Sequence, residues 1–317
     1  MSKTKLFFAS DIHGSERCLR KFLNAGKFYE ANVVILGGDI TGKMIVSLVR
    51  QADGTCTCDY GGTGHILKSQ QEIDELVRDI RDSGYYPYFA EPKEIDELSE
   101  KPELVKLLFK RVVKESVAEW MRLAEQKLRG TDIKCYISPG NDDAFEIDEI
   151  LSSAACVINP EEKIVDIDSE HQMITLGYSN RTPWNSPREI DEDDFADKID
   201  KLAIQIKDMR SAIFNIHVPP IDSGLDEAPK LDETLKPVVS GGTIVMAPAG
   251  SISVRKSIEK YQPLIGLHGH IHESRGARRI GRTMCFNPGT EYNAGVLRGL
   301  LCDLGKDTIE SYSFTSG

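Results

Sequence analysis

Val33-Val34-Ile35-Leu36 is an unbroken apolar run, three of its four residues β-branched, and it ends in Gly37-Gly38-Asp39. A run this short, apolar on both alternating faces and closed by glycine, reads as a strand covered on both sides. Upstream, residues 5–10 form a second apolar run, which ends in Asp11-Ile12-His13-Gly14. Between the two, Cys18, Leu19, Phe22, Leu23 and Phe28 approximate helical spacing behind Ser15, a residue suited to cap a helix start. Strand, helix, strand, with acids at the strand ends, is the signature of a parallel α/β sheet. In such sheets ligands bind at the carboxyl ends of the strands.

The pattern returns three times. Residues 133–138 lead into Pro139-Gly140-Asn141-Asp142-Asp143, residues 212–216 into His217-Val218-Pro219-Pro220, and residues 264–267 into His268-Gly269-His270-Ile271-His272. Shorter strands are expected at 155–158, 163–167 and 173–178, helices at 144–151, 191–209 and 251–261, and tail strands at 283–286, 295–303 and 307–314. The stretch 222–242 reads as an irregular loop. From 43 to 130 the pattern changes. Here a hairpin of 45–49 with 66–67 precedes helices at 70–82 and 103–128, which the Pro87-to-Pro102 segment separates. The stripe Leu104, Leu107, Leu108, Val112, Val113, Val117, Trp120, Met121, Ala124 and Leu128 reads as core, with a homodimer interface as the alternative. The expected organisation is one domain over 1–317 with an insertion or cap at about 43–130.

With 317 residues, 40% of them hydrophobic, the chain is long enough for a substantial core. Its net charge of −11 argues against a surface built for nucleic-acid phosphates. No apolar run is long enough to span a membrane, and Leu6-Phe7-Phe8-Ala9 is too short for a signal-peptide core, so a soluble, cytoplasmic protein is expected. Seven scattered cysteines do not read as a disulfide framework. Cys56-Thr57-Cys58 lacks a second Cys/His pair at zinc spacing and reads as a strand position.

Three histidines at alternate positions, 268, 270 and 272, are costly in an inert core because each brings a polar nitrogen that must be satisfied. In extended backbone, side chains two apart point the same way, so His270 and His272 suit one metal cavity. Their partners stand at the other strand ends: Asp11, His13, Asp39, Asn141 and His217. Imidazole with carboxylate suits manganese, iron, zinc or nickel, and the absence of thiolates argues against a soft-metal site.

The order Asp-x-His-Gly, Gly-Gly-Asp, Gly-Asn-Asp, a lone His before Val-Pro, then Gly-His-x-His resembles the calcineurin-like metallophosphoesterase superfamily, and Asn287-Pro288-Gly289-Thr290 is similar to the turn that follows the last motif in many members. Within it the chain looks most like the predicted phosphoesterases related to the Icc-type cyclic nucleotide phosphodiesterases. The resemblance implies an α/β fold, a four-layer α/β/β/α sandwich, holding two divalent metal ions, manganese first. It further implies that Asp11, His13 and His272 hold one ion, that Asn141, His217 and His270 hold the other, and that Asp39 bridges them. Two ions about 3.5–4 Å apart activate a hydroxide that attacks phosphorus in line with the leaving oxygen.

One position departs from the family. Many members carry His after the Asn of the third motif, where this chain has Asp142. A carboxylate near two dications is held ionised, so Asp142 sits at a catalytic position without being a proton donor. Arg181 and Arg188 are candidate phosphate contacts and Trp184 a candidate base-stacking residue. Asp143 and His268 are expected to orient ligands from behind them, while His65 and His171 read as exposed or turn residues. The expected activity is metal-dependent hydrolysis of a small phosphate ester, phosphodiesters favoured. A phosphomonoesterase of nucleotides or phosphoproteins is the alternative enzyme, and a non-catalytic scaffold the alternative of another kind. Since every ligand position is filled, the scaffold reading is the weaker of the two.

Overall fold

The computed structural model describes residues 4–317. The first sheet takes β1 (Thr4–Ala9), β2 (Val33–Gly37) and β7 (Lys134–Ser138) in parallel, flanked by antiparallel β20 (Arg298–Leu304) and β21 (Ile309–Ser316), in the order β21-β20-β1-β2-β7. The second sheet holds β8 (Ile164–Asp166), β9 (Gln172–Leu176), β12 (Ile213–Ile216), β17 (Ile265–Leu267), β18 (Gly276–Ile280) and β19 (Thr283–Asn287), in the order β18-β19-β17-β12-β9-β8. Here β9, β12, β17 and β19 run parallel, with both edge strands antiparallel to their neighbours.

Alternation along β1 explains why its sequence is apolar throughout. Phe7 and Ala9 face one way, joining Val34, Leu36, Cys135 and Ile137 against α1 (Glu16–Phe28) and α4 (Pro102–Leu128). Leu6 and Phe8 face the other way, into a core shared with Met173, Ile213, Ile265, Leu267 and Phe286 of the second sheet. The outer face of that sheet, through Ile174, Leu176, Phe214 and Ile216, packs on α6 (Glu192–Ala203) and α7 (Ile252–Tyr261). Strands covered on both faces cannot alternate apolar with polar, so they read as continuous runs. The α/β class expected from sequence is the class observed.

The 43–130 stretch forms a third sheet, ordered β5-β4-β3-β6, from β3 (Ile45–Arg50), β4 (Cys56–Tyr60), β5 (Thr63–Leu67) and β6 (Tyr86–Ala90). Cys56 and Cys58 are buried there with Val46, Leu48 and Leu67 against α2 (Gln70–Asp82), which a Ser69–Glu72 capping box starts. Two expectations fail in this region. The hairpin is a three-stranded meander, and the segment read as a break contains both β6 and α3 (Pro92–Glu100). Pro87 is tolerated because β6 is an edge strand, and Pro92 because it opens a helix, where its missing N–H is no loss.

Elsewhere, 144–151 is a short 3₁₀ turn followed by α5 (Asp148–Leu151), the helix from 191 stops at Ala203, and the expected strand at 155–158 contributes only a single bridge, Tyr136 with Ile158. The loop before α6 carries β10 (Ser179–Asn180) paired with β11 (Glu189–Ile190). Between Glu227 and Pro248 small antiparallel pairings replace the expected irregular loop. The strand β18 went unread because exposed Arg278 and Arg279 interrupt its apolar pattern, as charges on edge strands do.

Glu161 lies buried before β8, and both its carboxylate oxygens accept the Gly177 N–H at 3.0 and 2.9 Å. Burial pushes its pKa up to about 8, against the lowering effects of that hydrogen bond and of Arg188. The native state therefore holds a proton that the unfolded chain releases near the ordinary value of 4.5. Stability from this group is complete below that value and lost as pH rises through about 8. In urea titrations, Glu161→Gln should lose less stability between pH 5 and 8 than the wild type; equal slopes would show that the buried carboxyl is ionised in the fold.

Candidate metal centre

Five parallel strands deliver the polar residues to one place. Asp11 and His13 follow β1, Asp39 follows β2, Asn141 follows β7, His217 follows β12, and His270 with His272 follow β17. Hydrogen bonds join the two sheets across this junction. The His270 N–H donates to both Asp11 carboxylate oxygens (3.0 and 3.1 Å), and His217 Nδ1 donates to the Gly37 carbonyl at 2.9 Å. The second bond fixes the ring's orientation and points Nε2 of His217 toward Asp39 Oδ2, 3.4 Å away.

Two groups of ligand-type atoms result, Asp11 with His13 and His272, and Asp39 with His217 and His270, each gathered within 4.8 Å. Asp39 Oδ2 also lies 3.7 Å from His13 Nε2, which places this carboxylate beside both groups. Asn141 joins the second through its amide oxygen, 2.7 Å from His270 Nδ1. A third group of His13, Asp39 and Asp142 overlaps the first two. Close approach needs unusual backbone. Asp11, His13, Asp39 and His270 have φ of 56°, 38°, 48° and 65°, left-handed values that cost non-glycine residues about 1–3 kcal/mol each.

Several atoms lack protein partners suited to them. Among the described residues, His217 Nε2 and His13 Nδ1 are buried without a hydrogen bond, and the Nε2 atoms of His13 and His272 face each other at 3.0 Å. Burial would raise Asp11, yet the imidazoles of His272, His217 and His13 hold it well below the carboxylate range. Burial pushes Asp39 up to about 6 despite His217. Conversely, Asp39 and Asp11 overcome burial to lift His217 to about 10, while burial and neighbouring imidazoles depress His13 and His270 to about 3. The cavity thus draws positive charge between two carboxylates and keeps other ring nitrogens neutral. That donor set fits divalent cations.

Asp143 is fully buried and accepts from Ile40 N (3.0 Å), Thr41 N (2.9 Å), Thr41 Oγ1 (2.5 Å) and Gly140 N (2.8 Å), tying the Asp39 loop to the Asn141 loop. His268 is buried with Nδ1 donating to the Ile216 carbonyl at 2.8 Å, beneath the ligand-bearing loop. Above the cluster opens a cleft of about 730 Å³, walled by Phe109 and Val113 of α4 and by Trp184 and Pro187. Trp184 is therefore at the cleft, but the two arginines are elsewhere. Arg188 is 1% exposed, paired with Asp148 at 2.6 Å and stacked on Phe145, so its guanidinium is committed to the fold. Arg181 is exposed and pairs with Asp191 at 2.8 Å. His171 is not a turn residue at the surface: it is buried, bonded to Asp168 and to the Gly305 carbonyl.

Sequence reading missed Lys43, whose Nζ lies 2.5 Å from Asp142 Oδ2, and Tyr292, whose ring packs 4.8 Å from that of His13. Neither stands in a motif. Phe109 was missed because it lies off the core stripe of α4, although its i,i+4 pairing with Val113 marks one wall.

No protein-family model matches the chain. An uncharacterized protein of Methanocaldococcus jannaschii is 31% identical over 152 residues, covering 47% of this chain and 61% of its own length. The match thus spans about three-fifths of that relative. Among solved structures, one superposes with a TM-score of 0.57 at 16% identity, covering 98% of this chain and 99% of its own. The TT1561 protein of Thermus thermophilus superposes at 0.52 and 12% identity, covering 100% and 99%. Both share the fold.

A Cβ at Gly140 would lie 2.2 Å from Asp39 N and 2.3 Å from its Oδ1. Gly140→Ala should therefore displace Asp39 and weaken binding of an added divalent cation about tenfold or more, read by calorimetry, with circular dichroism unchanged. Wild-type affinity in this variant would remove Asp39 from the candidate ligands.

Proposed function

We propose that the chain is a metal-dependent phosphoesterase of the calcineurin-like superfamily, a single domain in which the 43–130 segment is an insertion forming one wall of the cleft. The observation that carries this reading is the pair of ligand groups meeting at Asp39. Asp11, His13 and His272 would hold one divalent ion, Asn141, His217 and His270 the other, with Asp39 between. Manganese is the first choice, with iron, zinc and nickel compatible with the same donors. When bound, such a pair supplies an acidified water and draws charge from phosphate oxygens.

The chain's own residues set the rest. Gly37 holds His217 in the tautomer that presents Nε2, and Asp11 holds the His270 backbone. Asp142 cannot serve as proton donor at neutral pH. Burial would raise it, but Lys43 and Ser186 hold it down at about 2. An ester whose leaving oxygen needs a full proton is therefore disfavoured. The cleft is far larger than a phosphate group and has Phe109, Val113 and Trp184 in its walls, which supports an ester with an organic substituent. The preference for a diester rests on Asp142, which leaves the site without a proton donor there.

The test compares bis-p-nitrophenyl phosphate with p-nitrophenyl phosphate in the presence of Mn, Ni, Zn or Mg. The expected outcome is faster diester turnover with Mn. His217→Ala should cost more than the about 10–100-fold typical of losing an outer hydrogen-bond partner of a metal ligand. No turnover with any of these metals, together with no metal retained on purification, would end the reading.

A further inference from the structure

Lys43 enters the cleft from backbone fixed on several sides. Thr41 is bound by Asp143, the Gly42 N–H donates to the buried Tyr86 hydroxyl at 2.8 Å, and Gly42 lies so close to the Gly84 carbonyl that a Cβ would sit 2.2 Å from it. The side chain is held as well. Asp142 Oδ2 takes the ammonium at 2.5 Å, while Asp142 Oδ1 accepts from Ser186 Oγ (2.6 Å) and Asn141 Nδ2 (3.0 Å). The Asp142 N–H in turn donates to Asp39 Oδ1 at 2.9 Å. A cation is thereby clamped next to the ligand cluster.

Its place along the cleft gives it a role. Asp142 shares a ligand group with His13 and Asp39, so Lys43 stands at the edge of the cluster, in a cleft also lined by His270, His272, Phe109, Val113 and Trp184. With phosphate on the cluster and its organic substituent in the remainder of the cleft, the ester oxygen lies at the cluster's edge, beside Lys43.

We propose that Lys43, positioned by Asp142, meets that ester oxygen and stabilises the charge it gains as the phosphorus–oxygen bond breaks. This deepens the phosphoesterase reading and rests on it. Water adds its oxygen to phosphorus, and the electron pair of the broken bond goes to the departing alcohol oxygen. The protons released by water reach solvent and, where the alcohol needs one, the departing oxygen from solvent. Lys43 keeps its own protons, since an ordinary lysine is fully charged at neutral pH. A fixed charge of this kind helps most when the leaving oxygen is basic.

The experiment uses the Mn-loaded full chain, methyl 4-nitrophenyl phosphate and methyl phenyl phosphate as substrates, and inorganic phosphate as a binding probe. Lys43→Ala should lose about 100-fold on the phenyl ester and less than about fivefold on the 4-nitrophenyl ester. Lys43→Arg should recover most of the loss because charge is retained. Asp142→Asn, which releases the clamp, should steepen the leaving-group dependence in the same direction, a change that a purely structural role for Asp142 would not produce. Calorimetry should show phosphate binding weakened about tenfold in Lys43→Ala. Equal losses on the two esters, or unchanged phosphate affinity, overturns the assignment. If the loaded wild type cleaves neither ester while Lys43→Ala still weakens phosphate binding, the phosphoesterase reading falls and takes the leaving-oxygen role with it, leaving Lys43 as a phosphate contact alone.

Discussion

The backbone N–H of His270 donates to the Asp11 carboxylate, and through that bond the end of a strand in the second sheet is fixed to the end of one in the first. Each sheet alone carries only part of the cluster. Asp11, His13, Asp39 and Asn141 come from the first, His217, His270 and His272 from the second. The shared core of Leu6, Phe8, Ile213, Leu267 and Phe286 sets the separation of the sheets, while the His270–Asp11 and His217–Gly37 bonds set the register of their ends. Strained φ values at four of these residues persist because packing and hydrogen bonds on both sides leave no room to relax.

The segment from 43 to 130 acts on the site from outside that junction. Its small sheet has its own core, yet Tyr86 reaches back to Gly42, and α4 lays Phe109 and Val113 along the cleft. The metal-type residues therefore belong to the sheets, while the shape of what they face depends on α4. Variation in that helix would alter the cleft wall without touching a ligand.

Much of this was legible because strand ends announce themselves. An apolar run followed by glycine or proline and then Asp, Asn or His marks both a strand and the point where its side chains become free for chemistry, and the seven candidate ligands, which the fold brings together, were read in this way. What could not be read depends on distance in space alone. Arg188 stands in a polar loop and looks available, but tertiary packing buries it against Phe145 and Asp148. Lys43 looks like any surface lysine until Asp142, about a hundred residues away, is brought beside it. The strands β6 and β18 were hidden for a local reason: proline in one and arginines in the other are tolerated only because both lie at sheet edges.

Charge explains why the cluster suits cations. Asp11 and Asp39 are buried together, and in the protein alone the proton on His217 answers them. An ion occupying the same space must displace that proton, so binding and deprotonation are one event. Asp142 lies close enough to join His13 and Asp39 in a third group, and unneutralised it would add a further negative charge to the same cavity. Lys43 cancels it from the cleft side. The histidine–carboxylate cluster and the lysine clamp are thus two halves of one electrostatic arrangement, in which Lys43 occupies Asp142 while the carboxylates of Asp11 and Asp39 face the histidines.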